Sequence, residues 1–257
     1  MKPSSSFADS YQAAGGIWIE PSPKRIRARV SGHTAFDTRA ALMVWEHPYY
    51  PQYYVPVGDV DEALIAPSVD VTPAAASANP SLGPAVGFDL VDDARVIAHH
   101  GVWRHTDAVD SRVANSYRFA WPAMDAWFEE DTEVYIHPRS PYVRVDALAS
   151  SRHVRVEIDG VTVAESNRPT LLFETGLPTR YYLPQTDVDA AYLSSSDSST
   201  GCPYKGTARY WNVTVDGTEH TDLVWGYDAP LAESAPVAGL MCFYNEKVDL
   251  FVDGQPG

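Results

Sequence analysis

Two stretches decide the fold once one is laid over the other: IRARVSGHTAFDTRAALMVWEHPYYPQYYVPVGDVDEALI at residues 26–65 and VRVEIDGVTVAESNRPTLLFETGLPTRYYLPQTDVDAAYL at residues 154–193. The offset is 154 minus 26, or 128, and no gap is needed. It pairs Arg27 with Arg155, Gly32 with Gly160, Thr34 with Thr162, Glu46 with Glu174, Tyr53 with Tyr181 and Tyr54 with Tyr182. It also pairs Pro56 with Pro184, Asp59 with Asp187, Val60 with Val188, Asp61 with Asp189 and Ala63 with Ala191. Apolar character keeps the same register, as in Ile26/Val154, Val44/Leu172 and Trp45/Phe173. A match of this length marks a tandem duplication. Farther on, residues 113–127 align with 237–251, keeping Val113/Val237, Ala114/Ala238, Phe119/Phe243 and Asp125/Asp249. The first copy is therefore expected at 21–140 and the second at 141–257. Residues 1–20, rich in Ser, Ala and Gly, read as a flexible lead-in. Pro138, Ser140, Pro141, Ser150 and Ser151 read as the connector.

Within each copy the pattern is that of strands. Val154, Val156 and Ile158 alternate with charged residues, and Asp159-Gly160 then turns the chain into residues 161–164. Asp-Gly between alternating runs signals a tight hairpin, because both central positions need positive φ. Ser31-Gly32 holds the same place in the first copy, while Asp216-Gly217 and Asp253-Gly254 repeat the signal. No stretch carries a sustained helical stripe, and residues 187–193 read at most as a short helix. Short strands with frequent Gly and Pro turns predict a mainly β protein of sandwich- or barrel-like domains.

Composition narrows the function. With 19 basic and 34 acidic residues the net charge is −15, so a sequence-independent hold on nucleic acid is not expected. The amino-terminal residues lack an apolar leader, and the apolar run near residues 40–45 is too short to span a membrane. Two cysteines, Cys202 and Cys242, are too few for a disulfide framework or a four-thiolate zinc site. His99, His100 and His105 lack partners at metal spacing. The expectation is a soluble, cytoplasmic protein without metal or cofactor.

Chemistry-bearing residues gather in the second copy. FETGLPTRYYLP carries Glu174, Thr175, Arg180 and Tyr182, and TGCPYKGTARYW carries Cys202, Tyr204, Lys205, Gly206, Tyr210 and Trp211. VWGYDAPL adds Trp225 and Tyr227, and PVAGLMCFYNEKVDLFVDG adds Tyr244. These four runs resemble the bacterial domain-of-unknown-function 427 family, which also carries a nucleotidyltransferase-like label. The resemblance covers essentially all of the second copy, and the first shares it through the duplication. It implies a small β-rich domain, two sheets meeting like a tent or partial barrel, with these motifs around a ligand pocket. Nucleotidyl transfer would need clustered carboxylates for Mg²⁺ and a phosphate-cradling loop. The sequence has no GxxxxGK[ST], and Asp92-Asp93 and Glu129-Glu130 lie outside the motifs.

Each candidate has a plainer structural reading. Lys205 before Gly206 can bring an amine to a ligand on a tight turn, or be a solvated turn lysine. Glu174 and Arg180 can fix a ligand, or form an internal salt bridge. Because Gln52 stands at the place of Arg180 while Glu46 matches Glu174, the glutamate reads as the more structural of the two. The tyrosines and tryptophans can wall a site for a planar or cationic group, yet strand alternation sends about half of them into the core. Cys202 lies three residues from Lys205, but no histidine joins it, and a small buried residue is the simpler reading. The first copy has no CPxKG in its Ala/Pro-rich region 72–87.

Three functions follow in order: a small-molecule-binding module with its pocket in the second copy; an enzyme of nucleotidyltransferase-like or carbonyl chemistry using Lys205, Glu174 and Cys202; and a structural or interaction protein. A duplicated chain can supply internally the contact that a single-copy relative makes as a dimer. A monomer is the expectation, with a dimer as the alternative.

Overall fold

The computed structural model describes residues 7–68, 79–93, 95–108 and 110–257. The chain divides into two compact units, Met1–Ser140 and Pro141–Gly257. In the second unit, a seven-stranded antiparallel sheet runs in the spatial order Val145–Ala149, Thr170–Glu174, Arg180–Pro184, Leu240–Phe243, Thr218–Gly226, Gly206–Val215 and Leu193–Cys202. A four-stranded sheet runs Val161–Ser166, Val154–Ile158, Asp249–Val252 and Gln255–Pro256.

The first unit repeats this order strand for strand. Its larger sheet runs Trp18–Pro21, Leu42–Trp45, Gln52–Pro56, Ser116–Phe119, Arg95–His105, Ala85–Asp92 and Ile65–Pro67. Its smaller sheet runs Thr132–Val134, Ala126–Glu129, Ile26–Val30 and His33–Thr38. The fold is mainly β, as two tandem domains of paired sheets. Each sheet ends in two edge strands, so none closes into a barrel. Among the described residues, no helix is long and apolar enough to cross a membrane.

The hairpin signals hold in the backbone. Ser31-Gly32, Asp159-Gly160, Asp216-Gly217 and Asp253-Gly254 all take positive φ at both residues, which matches the right-handed strand twist. In place of a short helix over 187–193 there are two single 3₁₀ turns, Gln185–Asp187 and Ala190–Tyr192. Asp189 caps the second by accepting from the Ala191 N–H.

The structure moves the ends of three expected segments. Phe7–Ala13 is a helix, with Tyr11 buried and Phe7 against Trp45, and Trp18–Pro21 pairs with Leu42–Trp45. The described part of the lead-in is thus held by apolar burial. Val145–Ala149 is a strand, and the Ser150 N–H donates to the Pro169 carbonyl, so the connector does not reach the two serines. The matching strands Ala126–Glu129 and Asp249–Val252 also slip by one residue from the expected alignment. Phe128, not Trp127, matches Phe251; the two rings lie under Arg27 and Arg155 at 5.3 and 4.4 Å.

Alternation gives the larger sheet of each unit two unlike faces. In the second unit one face joins the smaller sheet in a core containing Val154, Val156, Leu183, Val213, Met241 and Phe243. Its other face carries Leu172, Tyr182, Ala208, Trp225, Tyr227, Val237 and Cys242. The residues of the four sequence motifs are sorted between these faces one by one.

Candidate functional site

The second face of the larger sheet in the second unit holds a cavity of about 170 Å³. Leu172, Glu174, Leu177, Arg180 and Tyr182 line it from two adjacent strands and their turn; Lys205, Tyr210, Trp225, Tyr227 and Tyr244 complete it. Neighbouring residues on the same strands face the opposite core. Tyr181 and Trp211 pack there, and the Arg209 guanidinium sits 4.4 Å over the Trp211 ring. Trp211 is therefore a scaffold residue, as period-two alternation after Tyr210 requires.

Lys205 and Glu174 form an ion pair inside the cavity, with side chains only 11 % and 10 % exposed. Glu174 comes from the end of its strand, where Gly176 takes positive φ in the following turn and the Leu177 N–H donates to the Glu174 carbonyl. Lys205 comes from the CPYKG turn, which the segment 229–234 braces. The Leu231 N–H donates to the Lys205 carbonyl, and Ser234 Oγ donates to that of Tyr204. Gly206 has φ +94°, and a Cβ there would lie 3.4 Å from the Ala229 carbonyl oxygen. Glycine permits that backbone approach, which places the lysine.

The Glu174–Arg180 salt bridge considered from sequence does not form. Arg180 instead clamps Glu246 at 2.7 and 2.8 Å through its two terminal nitrogens. Its guanidinium lies 5.4 Å from the Trp225 ring centre and 5.9 Å from that of Tyr244. The Glu246 carboxyl is held below its ordinary range, chiefly by that hydrogen bond. Trp225 Nε1 donates to the Tyr182 hydroxyl at 3.1 Å, and Tyr210 and Thr200 share a hydrogen bond of 2.7 Å. Burial raises the Tyr182 and Tyr227 phenols well above their ordinary value and Tyr244 to about 12, so all three stay protonated at neutral pH.

Besides Trp211 and Gly206, three predicted site residues stand outside the lining. Cys202 is half-buried at its strand end, opposite Gly206 in the ladder. Tyr204 offers its carbonyl to Ser234, and exposed Thr175 exchanges hydrogen bonds with Arg144. Leu172, Leu177 and Glu246 were not singled out in the sequence. Glu246 had a signal, since it lies in the run that supplies Tyr244, but its pairing with Arg180 spans 66 residues.

The first unit has an equivalent of the lysine turn after all. Asn79-Pro80-Ser81-Leu82-Gly83 lies over Cys202-Pro203-Tyr204-Lys205-Gly206 at an offset of 203 minus 80, or 123. Gly83 has φ +104° and, like Gly206, faces a backbone carbonyl, here of Asp107. Residues 72–78 of the Ala/Pro-rich region lie outside those described. At the place of Lys205 stands Leu82, fully buried with Leu42, Val44, Tyr54 and Val113. The cation for Glu46 comes from the strand Ser116–Phe119, two places across the sheet: Arg118 Nε lies 2.6 Å from its carboxylate. Arg118 pairs with Trp103 in the ladder as Cys242 pairs with Trp225, so Arg118 and Cys242 hold the same place. The Tyr54 hydroxyl, at the place of Tyr182, donates to Glu46 at 2.7 Å.

A family model described as a domain of unknown function, DUF427, matches residues 18–130 and again 146–254. The chain belongs to the DUF427 family. No curated protein matches the sequence. The two matches fall one in each unit, so a DUF427 domain is one pair of sheets, and this chain carries two with different residues at the lysine position. Among the described residues, no group of His, Cys, Asp and Glu is placed to hold a metal ion.

Proposed function

We propose that the second DUF427 unit binds a small molecule in the cavity at Lys205, and that the first is a scaffold copy in which the same place is filled. One contrast carries this reading. The two units share strand order, the glutamate, the tyrosine and the glycine turn, yet Lys205 faces a cavity where Leu82 fills an apolar cluster. A lysine and its carboxylate left at a cavity wall, where leucine serves the fold equally well, favour a role in recognition. Arg180 and Glu246 then close one side of the pocket, and the aromatic rings supply its contact surface.

Reacting roles for these residues find less support. Cys202 is not in the lining, and Lys205 Nζ is engaged by the Glu174 carboxylate.

The test is a thermal-shift and calorimetric panel of nucleotides, sugars, amino acids and small aromatics. It uses the wild type and the double variant Lys205→Leu/Glu174→Gln, which imports the first unit's leucine without stranding a charge. Ligand well above its Kd should add about 2–3 kcal/mol of stability to the wild type and nothing to the variant. A shift of equal size in both proteins would move the binding site elsewhere, and turnover of a bound compound would make the unit an enzyme.

A further inference from the structure

The polar groups around the cavity are unequally divided between donors and acceptors, and this division names the ligand class; the argument rests on the small-molecule reading above. Tyr227 is 5 % exposed and lines the cavity, and its hydroxyl has no hydrogen-bond partner among the described residues. Tyr182 is 1 % exposed and accepts from Trp225 Nε1, so its own O–H proton has no acceptor among them. Its counterpart Tyr54 does have one, the carboxylate of Glu46 at 2.7 Å. In the second unit Glu174 holds Lys205 instead, and only one of the three ammonium N–H groups is used. Two buried phenols and an ammonium therefore present donors to one small space. Of the carboxylates nearby, Glu174 holds Lys205 through Oε2 and Glu246 holds Arg180 through both oxygens. Polar groups at a cavity wall find partners, and the two phenol protons and the remaining ammonium N–H groups have none within the described residues.

Charge and size narrow the class further. Lys205 with Glu174 and Arg180 with Glu246 are each neutral as pairs, so the wall has no net charge to offset a buried ion. The volume, about 170 Å³, is close to the ~150 Å³ of an engineered cavity that holds one benzene ring. We propose that the pocket takes a neutral, single-ring molecule bearing a carbonyl oxygen of the amide type. The oxygen accepts from Tyr182, Tyr227 and Lys205, and the ring lies among Trp225, Tyr210 and Tyr244.

Three ring-matched probes test this on the full chain: benzamide, benzoate and benzylamine, titrated by calorimetry and by ligand-observed magnetic resonance. Benzamide is expected to bind saturably and in preference to both ions. Tyr227→Phe, which keeps the ring and removes the hydroxyl, should weaken it roughly 5- to 10-fold. Preference for benzoate or benzylamine would overturn the neutral class while leaving a pocket. Saturable binding of none of the three would overturn the pocket reading together with the inference. A readout without ligand is the melting temperature of Tyr227→Phe, expected to equal or exceed that of the wild type because an unpartnered hydroxyl is lost. A marked fall would mean that the hydroxyl has a protein acceptor, and would overturn its assignment as a free donor.

Discussion

Glu46 and Glu174 stand at the same place in the two units and hold different cations, Arg118 from a strand two places across the sheet in one and Lys205 from a turn in the other. The glutamate is common to both folds; the origin of its partner differs. Where the cation comes from a strand, the turn contributes Leu82 and packs. Where it comes from the turn, Cys242 replaces the strand cation and a cavity opens beside the lysine.

The Lys205–Glu174 pair should behave as one unit in a double-mutant cycle. Lys205→Leu alone leaves a carboxylate in a nearly closed site and should destabilise by about 3 kcal/mol. Lys205→Leu with Glu174→Gln should recover most of that loss, giving a coupling energy above about 1 kcal/mol in denaturant titrations. Additive single effects would mean that the pair is solvated in solution.

The two clamped arginines should differ in weight. Arg118 and Glu46 are both nearly buried, and Arg118→Leu should cost about 3 kcal/mol. Arg180 is paired to Glu246, whose side chain is 52 % exposed, so Glu246→Gln should cost no more than about 1 kcal/mol. Chemical denaturation of the two variants checks the order, and equal losses would contradict it.

The two thiols should separate by reactivity. Cys242 is fully buried, and burial pushes its thiol well above the ordinary value, so the thiolate is scarce at pH 8. Cys202 is half-buried at a strand end. Iodoacetamide labelling read by mass spectrometry should modify Cys202 in the native protein, and Cys242 only after unfolding. Native labelling of Cys242 at a comparable rate would mean that its strand opens readily.

Acid stability of the first unit should depend on Glu129. Burial raises this carboxyl, but the Lys24 ammonium, the Tyr53 hydroxyl at 2.9 Å and the Arg139 guanidinium outweigh burial and hold it below its ordinary value. A folded-state value below the unfolded one contributes stability above the unfolded pKa, and that contribution is lost as pH falls through the folded one. Glu129→Gln should thus be less stable than the wild type at pH 7, with the gap closing below about pH 4. A gap independent of pH in denaturant titrations would remove the carboxylate from the acid transition.

Much of the fold was legible in the chain because its signals are local or periodic. A repeat at fixed offset gave two copies, and alternation with Ser-Gly and Asp-Gly turns gave hairpins, since positive φ at two successive positions leaves few other residues. The site was legible as a region but not as a geometry. Glu174, Arg180, Tyr182, Lys205, Tyr210, Trp225, Tyr227 and Tyr244 do meet at one cavity. Trp211 sits one residue from Tyr210 and faces the opposite core, a side that cannot be chosen until the register of the pairing strand is known.

By itself, then, the sequence determined two β-rich copies, their turns and the region in which the cavity lies. The tertiary structure alone decided which carboxylate each cation holds. Lys205 reaches Glu174 across 31 residues and Arg180 reaches Glu246 across 66, because partners in a sheet are set by strand order and not by distance along the chain. It also revealed Leu82 at the place of Lys205. That equivalence rests on two glycines of positive φ before matching hairpins, where the sequence between the copies no longer aligns without gaps.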